Sequence, residues 1–254
     1  MKKIFLKGKD LFQEAVLLFR NLPASLLVFF CLSVVGMNLL ANKSINTGLD
    51  WLALDAGVIL SWASFLTLDI IVKHYGWRAS IFASVFALLV NLFLCLIFFL
   101  ASLIPGVWGE SFVEGSEEII NLAINKTFAG NWYIVMGSSI AFLVSSVANA
   151  LFNILVGKAF KKKPDGFVAF AMRSYVSTMI GQFIDNLTFA LIVSQVLFGW
   201  SFVQCITCAL TGAVTELLME IVFSPLGYRV CKHLEKHKIG QAYIDYRKEL
   251  EAAK

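Results

Sequence analysis

Residues 79–104 read ASIFASVFALLVNLFLCLIFFLASLI, a run without one charged side chain. Such a run crosses the hydrocarbon core of a bilayer, about 30 Å thick, as a single helix. A helix pairs its own backbone groups, whereas an unpaired group in lipid costs several kcal/mol. Working outward, five more apolar runs appear at 22–41, 52–73, 131–157, 176–199 and 202–229. Together the six take up most of the 254 residues and leave no room for a separate soluble domain. Only 15% of the residues are charged, against about a quarter in soluble domains. The alternating segments that mark a membrane β-barrel are absent. The expectation is an all-α integral membrane protein, a six-transmembrane-helix bundle over 22–230. A cytoplasmic interfacial amphipathic segment, 1–21, precedes it and a polar cytoplasmic tail, 231–254, follows.

Basic residues orient this bundle. If the loops alternate sides, 19 of the 21 Lys and Arg lie on one side, with only Lys43 and Lys126 opposite. Positive loops stay cytoplasmic, so both termini are expected inside, in a bacterial cytoplasmic (inner) membrane. The net charge of +4 reflects this topology, and nucleic acid is not an expected partner. The lipid bilayer is.

The five cysteines lie in or at the ends of the runs, so no disulfide framework is implied. Cys205-Ile-Thr-Cys208 has a C-x-x-C spacing but no second ligand pair, and packing is its simpler role. Three histidines stand at no metal-ligand spacing, and no phosphate-binding or nucleophile-elbow motif occurs. An enzyme, a metal site and a cofactor are therefore not expected. The long segment after Pro105, with four glycines and four glutamates before Asn131, reads as a surface helix or lid. KAFKKKPDG at 158–166 reads as a basic anchoring turn. Ala79, Ala83 and Ala87 form a small-residue stripe; it serves internal packing or docking of a partner, such as a second copy in a homodimer.

Polar residues inside the apolar runs point to function, because they are costly in lipid and face a bundle interior or a cavity. Asn149 and Asn153 are four residues apart, as are Glu216 and Glu220, so each pair shares a helix face. Gln182, Asp185 and Asn186 fall within one arc of the fifth run. Three helices thus each present a polar stripe at similar depth, which is what a small-solute site needs. Asp185, Glu216 and Glu220 have no basic residue at their depth, and the expectation is that all three share one hollow. Asp69, near the end of the second run, joins the candidates. Trp62, nearer mid-span, is a candidate stacking face. Asp55 is expected to be solvated at the outer interface.

DAGVILSWASFLTLDIIVKHYG at 55–76 resembles the second-span block of the VUT family of vitamin uptake transporters, which includes bacterial queuosine precursor transporters. STMIGQFIDNLTF at 177–189 resembles its fifth-span block, MEIVFSPLGYRV at 219–230 its sixth, and NWYIVMGSSIAFLVSSVANALFNIL at 131–155 its fourth. The resemblance implies six helices with both ends inside, a fold similar to the substrate-binding subunits of energy-coupling-factor transporters. It also implies uptake of a small-molecule solute, a 7-deazaguanine base. Asp69, Asn149, Gln182, Asp185 and Glu220 match the family's pattern by position. This chain departs from it at Trp62, where the family usually has Pro, at Val72-Lys73, usually Asn-Glu, and at Glu216, often Lys. The first run lacks the Ala-x-x-x-Ala motif through which energy-coupling-factor subunits meet their ATPase, so an ATPase module is not the expected partner. A membrane assembly or signalling protein without a solute is the remaining alternative.

Overall fold

The computed structural model describes residues 2–252, except 42, 53, 105–116, 131, 161–165 and 198. Among the described residues the secondary structure is helical apart from turns and one two-residue strand pair. Helix α1 (Lys2–Asn21) meets α2 (Ala24–Leu40) at a bend of 107°. Pro23 sits at the bend with ψ 127°, an extended conformation that starts α2 afresh. Strands β1 (Ser44–Ile45) and β2 (Leu54–Asp55) pair antiparallel. Then come α3 (Val58–Tyr75), α4 (Trp77–Ser102), α5 (Glu117–Gly130) and α6 (Trp132–Gly157). Helix α7 (Phe167–Phe189) runs through a π-helical turn, Ala190–Ser194, into the short α8 (Gln195–Leu197). Helices α9 (Phe202–Lys236) and α10 (Gln241–Ala252) complete the chain.

Five of the described helices, α3, α4, α6, α7 and α9, are long and apolar enough to cross a membrane, and the bent pair of α1 and α2 makes a sixth candidate span. Helices α2, α3, α9, α7, α6 and α4 pack successively, and α3 also touches α6 and α7 across the bundle. Helix α3 is therefore the innermost: 67% of its span is buried, against 22% for α4. Hydropathy follows position. The mean hydropathy of α3 is 1.3 and that of α4 is 2.7, because a helix wrapped by protein can carry polar groups whereas one facing lipid cannot. Helix α4 shows both faces at once. Ala79, Ala83 and Ala87 are wholly buried, while Leu89, Phe93 and Leu96 on the opposite side are exposed. The small-residue stripe is thus an internal packing surface that lets neighbouring helices close in.

Helix α9 runs for 35 residues, about 52 Å, longer than a bilayer core. Its start is fixed by a reciprocal cap between Ser201 and Gln204. Gln204 and Thr207 also donate to the backbone carbonyls of Asp50 and Trp51, tying the strand-pair loop to the bundle. Pro225 inside α9 has no N–H to offer Ile221, and the Ser224 hydroxyl donates to that carbonyl instead.

Three boundaries differ from the sequence reading. The second span begins at Val58, because 52–57 is taken up by the strand pair and the turn after it. The fifth begins at Phe167, not 176, so Arg173 belongs to a helix. The helix tolerates it because Arg173 donates from Nε to the Asn153 carbonyl (3.2 Å) and from Nη2 to Asn153 Oδ1 (2.7 Å). The polar tail is also structured. Tyr243 of α10 is fully buried, and its hydroxyl lies 3.4 Å from Glu14 Oε1 of α1. Glu14 is the hub of this terminal platform. It accepts from Arg78 Nε (2.9 Å) and Nη2 (2.5 Å) and lies 3.5 Å from Arg247. His74 Nε2 lies 2.9 Å from the Ile239 carbonyl and completes the seam.

The surface helix expected before Asn131 is present as α5, with Ile119 and Leu122 exposed. The glycines and glutamates of 105–116, and Lys161–Asp165 of the basic turn, lie outside the described residues. So do the side chains of Ile4 and Phe5 in the amphipathic segment.

Candidate functional site

The interior polar groups form one column along the bundle, in two clusters. The cluster nearer the terminal platform centres on Asp69, which α3 places at the core with 1% of its surface exposed. Asp69 Oδ1 accepts from Asn149 Nδ2 and Asn153 Nδ2 of α6, both at 2.9 Å, and from Ser177 Oγ of α7 at 3.2 Å. Its Oδ2 lies 2.5 Å from Ser174 Oγ and 3.4 Å from Thr178 Oγ1. The Ser174 hydroxyl also contacts Glu220 Oε1 of α9. Four helices thus converge on this pair of carboxyl groups. Arg173 caps the cluster through Asn153.

The second cluster lies toward the strand pair. Glu216, one turn before Glu220 on the same face of α9, is fully buried and accepts from Ser61 of α3. Asp185 Oδ1 accepts from Ser145 Oγ of α6 at 2.7 Å. Asn38 of α2 accepts from Ser138 of α6. Asn38, Asp55, Ser61, Asp185, Asn186 and Glu216 surround a hollow of about 20 Å³, space for about one water molecule. Two glycines bring backbone close to it. A Cβ on Gly57 would stand 2.7 Å from Asp55 Oδ1 and 2.8 Å from the Met37 carbonyl. A Cβ on Gly212 would stand 2.5 Å from Asn186 Nδ2.

Asp55 is half-buried here, not solvated at an interface as its position near a span end suggests. Its Oδ1 accepts from the Gly57 N–H at 2.7 Å. Burial pushes its carboxyl up to about 6, with that hydrogen bond opposing the shift in part.

Gln182 stands between the clusters on α7, one turn from Thr178 and one from Asp185. It is fully buried, and among the described residues neither its amide oxygen nor its amide nitrogen has a partner. Asn149 Oδ1 and Asn38 Nδ2 are also buried and unpartnered there. Buried amides in folded proteins are nearly always paired, so these open donors and acceptors, all along one column, set it apart from the rest of the interior.

The column contains Asp69, Asn149, Asn153, Gln182, Asp185, Asn186, Glu216 and Glu220. Trp62 points elsewhere. It stacks on Phe223 with ring centroids 4.2 Å apart, in an apolar groove between α3 and α9. A flat apolar ring packs more cheaply against Phe223 than among carboxylates. Nor do the three acids share one hollow: Asp185 and Glu216 face it, while Glu220 turns to Asp69 and Ser174. Asn38, Asp55, Ser61 and Ser174 are the partners that sequence reasoning missed. Asn38 had a signal, being the one amide inside the first apolar run. Serines had none, since nothing in spacing distinguishes Ser174 or Ser61 from packing serines. No cluster of three or more His, Cys, Asp or Glu placed to hold a metal ion occurs among the described residues. Cys205 and Cys208 are buried, and Cys205 Sγ lies 3.6 Å from the Ala190 carbonyl.

A family model described as "Putative vitamin uptake transporter" matches residues 55–230, well over half of the chain. The chain belongs to that family. The matched region begins at Asp55, ends after Tyr228 and contains every acid of the column. No curated protein and no solved structure matches the chain. The family is one of transporters, not enzymes, so the column is that of a multi-pass membrane protein that handles a small-molecule solute.

Proposed function

We propose that the chain imports a small heterocyclic solute, most closely a 7-deazaguanine base that serves as a queuosine precursor, across a bacterial inner membrane. Both termini lie in the cytoplasm in this reading, as the basic residues suggest. The solute lies in the column between α3, α6, α7 and α9. Gln182 offers both a donor and an acceptor to a purine-like edge. Asp185 and Glu216 accept from its N–H groups or pair with an aminomethyl cation, and Asn149 and Asn186 set its orientation. Asn153 and Asp69 hold the inner end of the column in register. The observation that carries the reading is Gln182, fully buried with an unpartnered amide, among the described residues, between the Asp69 and Asp185 clusters. A lone interhelical hydrogen-bonding role would leave it paired.

A hollow of about 20 Å³ is far smaller than a bicyclic base, so the helices are closed on the column here and must part to admit solute. Two features of the chain suit that motion. The π-helical turn Ala190–Ser194 follows Asp185 and Asn186 directly, and Pro225 interrupts the α9 hydrogen bonds just past Glu220. The wholly buried Ala79, Ala83 and Ala87 leave no such stripe for an ATPase module, which favours a transporter acting alone.

Thermal unfolding of the purified protein against 7-deazaguanines, purines and vitamins tests the reading. A ligand at a hundred times its Kd adds about 2.7 kcal/mol of stability. Stabilisation by a 7-deazaguanine that disappears in Gln182→Leu and Asp185→Asn is the expected result. A chain carrying both Asp185→Asn and Glu216→Gln that still took up solute like the wild type would sink the proposed site.

A further inference from the structure

We infer that Asp69, Ser174 and Glu220 form a proton-binding site, holding one proton between two carboxyl groups, and that this proton is the coupling ion of transport. The argument is a count of hydrogens. Ser174 Oγ lies 2.5 Å from Asp69 Oδ2 and contacts Glu220 Oε1 as well. A serine hydroxyl has one hydrogen to donate and lone pairs with which to accept. It can donate to one of these carboxylates and not to both. The other contact sets oxygen lone pairs against each other unless that carboxyl group carries a proton and donates to Ser174. The other partners of Asp69 offer no escape. Asn149 and Asn153 both turn amide hydrogens to its Oδ1, which makes Asp69 the ionised member. Glu220 is then the one that holds the proton. It is fully buried, and its Oε2 has no partner among the described residues.

Titratable or charged groups facing the pair are few. Helix α7 contributes Arg173, which reaches Asp69 through Asn153, with Tyr175, whose hydroxyl pairs with Ser224 at 2.8 Å, and Asp185 about three turns on. Helix α9 contributes Glu216, and α6 offers amides alone. Arg173 and, one turn past Asp69 on α3, Lys73 are the basic residues nearest the pair; the hydrogen count at Ser174 is what leaves one proton between the two carboxyl groups. Loss of the proton would leave two adjacent anions deep in the bundle, repelling each other away from water. Proton release therefore requires the bundle to change shape.

Glu220 and Glu216 are neighbours on one face of α9, so the proton site adjoins the hollow. Ser174 is on α7, which also carries Gln182, Asp185 and Asn186. Movement of α7 away from α9 to admit a solute separates Ser174 from Glu220 and opens the proton to water. This coupling rests on the solute reading above; the proton site itself does not.

Infrared difference spectra of the full-length protein in vesicles test the site without any solute. At neutral pH a protonated-carboxyl band is expected that vanishes in Glu220→Gln and is shifted in Ser174→Ala, a variant that keeps both acids and changes little volume. It should persist in Asp185→Asn. Absence of any such band, or a band untouched by both variants, overturns the site. For the coupling, uptake of a labelled 7-deazaguanine is followed with the outside made acidic. One proton per solute gives about tenfold accumulation per pH unit, abolished in Glu220→Gln. Uptake indifferent to the gradient overturns the coupling. If no 7-deazaguanine is taken up at all, the substrate reading of the preceding subsection fails, and the infrared result still decides the proton site.

Discussion

Glu14 and Glu220 are both buried glutamates, 3% and 0% exposed, at two levels of the same bundle. Their surroundings differ in kind. Glu14 meets two arginines and a tyrosine, and the two oxygens of its carboxylate divide between Arg78 Nε and Nη2 in a parallel fork. Glu220 meets a serine shared with another acid. A buried charge that is fully paired does architectural work: Glu14 fastens α1 and α10 to the start of α4. A buried acid joined to another acid through one hydroxyl is costly to the resting fold, which is why binding is proposed for it. In the reading proposed above, Glu14 belongs with the polar residues that hold helices together and Glu220 with those that take up a proton.

The largest effect should come from breaking the paired hub. Arg78→Ala leaves Glu14 buried with only the more distant Arg247, and a loss on the order of 3 kcal/mol is expected in thermal or denaturant unfolding in detergent. Pairing Glu14→Leu with Arg78→Met should cost less than either change alone, because no uncompensated charge remains. Equal or additive losses would refute the hub. Gln182→Leu should behave in the opposite way. Removing a buried, unpartnered amide should leave stability unchanged or raise it by about 1 kcal/mol, while solute uptake falls by at least about tenfold. A destabilised Gln182→Leu would place Gln182 with the architectural group. Tyr243→Phe removes one long hydrogen bond and no volume, so a loss of about 0.5 kcal/mol is expected.

A pH dependence is expected from Asp55, which lies outside the spanning helices. Its folded carboxyl is raised to about 6 by burial, above the ordinary value of about 3.9. Between these two values the folded chain holds the proton that the unfolded chain has released. Stability should therefore fall as pH rises from about 4 to about 6 and then level off. Asp55→Asn should flatten that slope in a pH series of unfolding midpoints and keep the acceptor for the Gly57 N–H. An unchanged slope would show that Asp55 is solvated after all.

Much of this was legible in the residues. The apolar runs fall on the five spanning helices and on α2, with the starts of the second and fifth displaced, because lipid permits little but a helix of about 20 residues. The spacing of Asn149 with Asn153, and of Glu216 with Glu220, correctly makes two polar faces. The errors have physical causes too. Arg173 looked like a loop residue because a lone arginine is costly in lipid, and only Asn153 opposite makes it affordable inside α7. Trp62 looked like a cavity wall because depth along a helix is readable and direction around it, without neighbours, is not. The docking of the tail was not legible, because Tyr243 finds its burial site beside Glu14 of α1, at the far end of the chain.

The sequence alone determined that this chain is a helical membrane protein of a transporter family and which residues carry polar groups into the bundle. Hydropathy, periodicity and local motifs are properties of neighbouring residues, and they survive in one dimension. Only the tertiary structure decided that Glu220 turns to Asp69 while Glu216 turns to Asp185, that one serine joins two acids, and that Gln182 is left unpaired. Hydrogen-bond partners are chosen across helices by packing within tenths of an ångström, and spacing along one chain contains no such information.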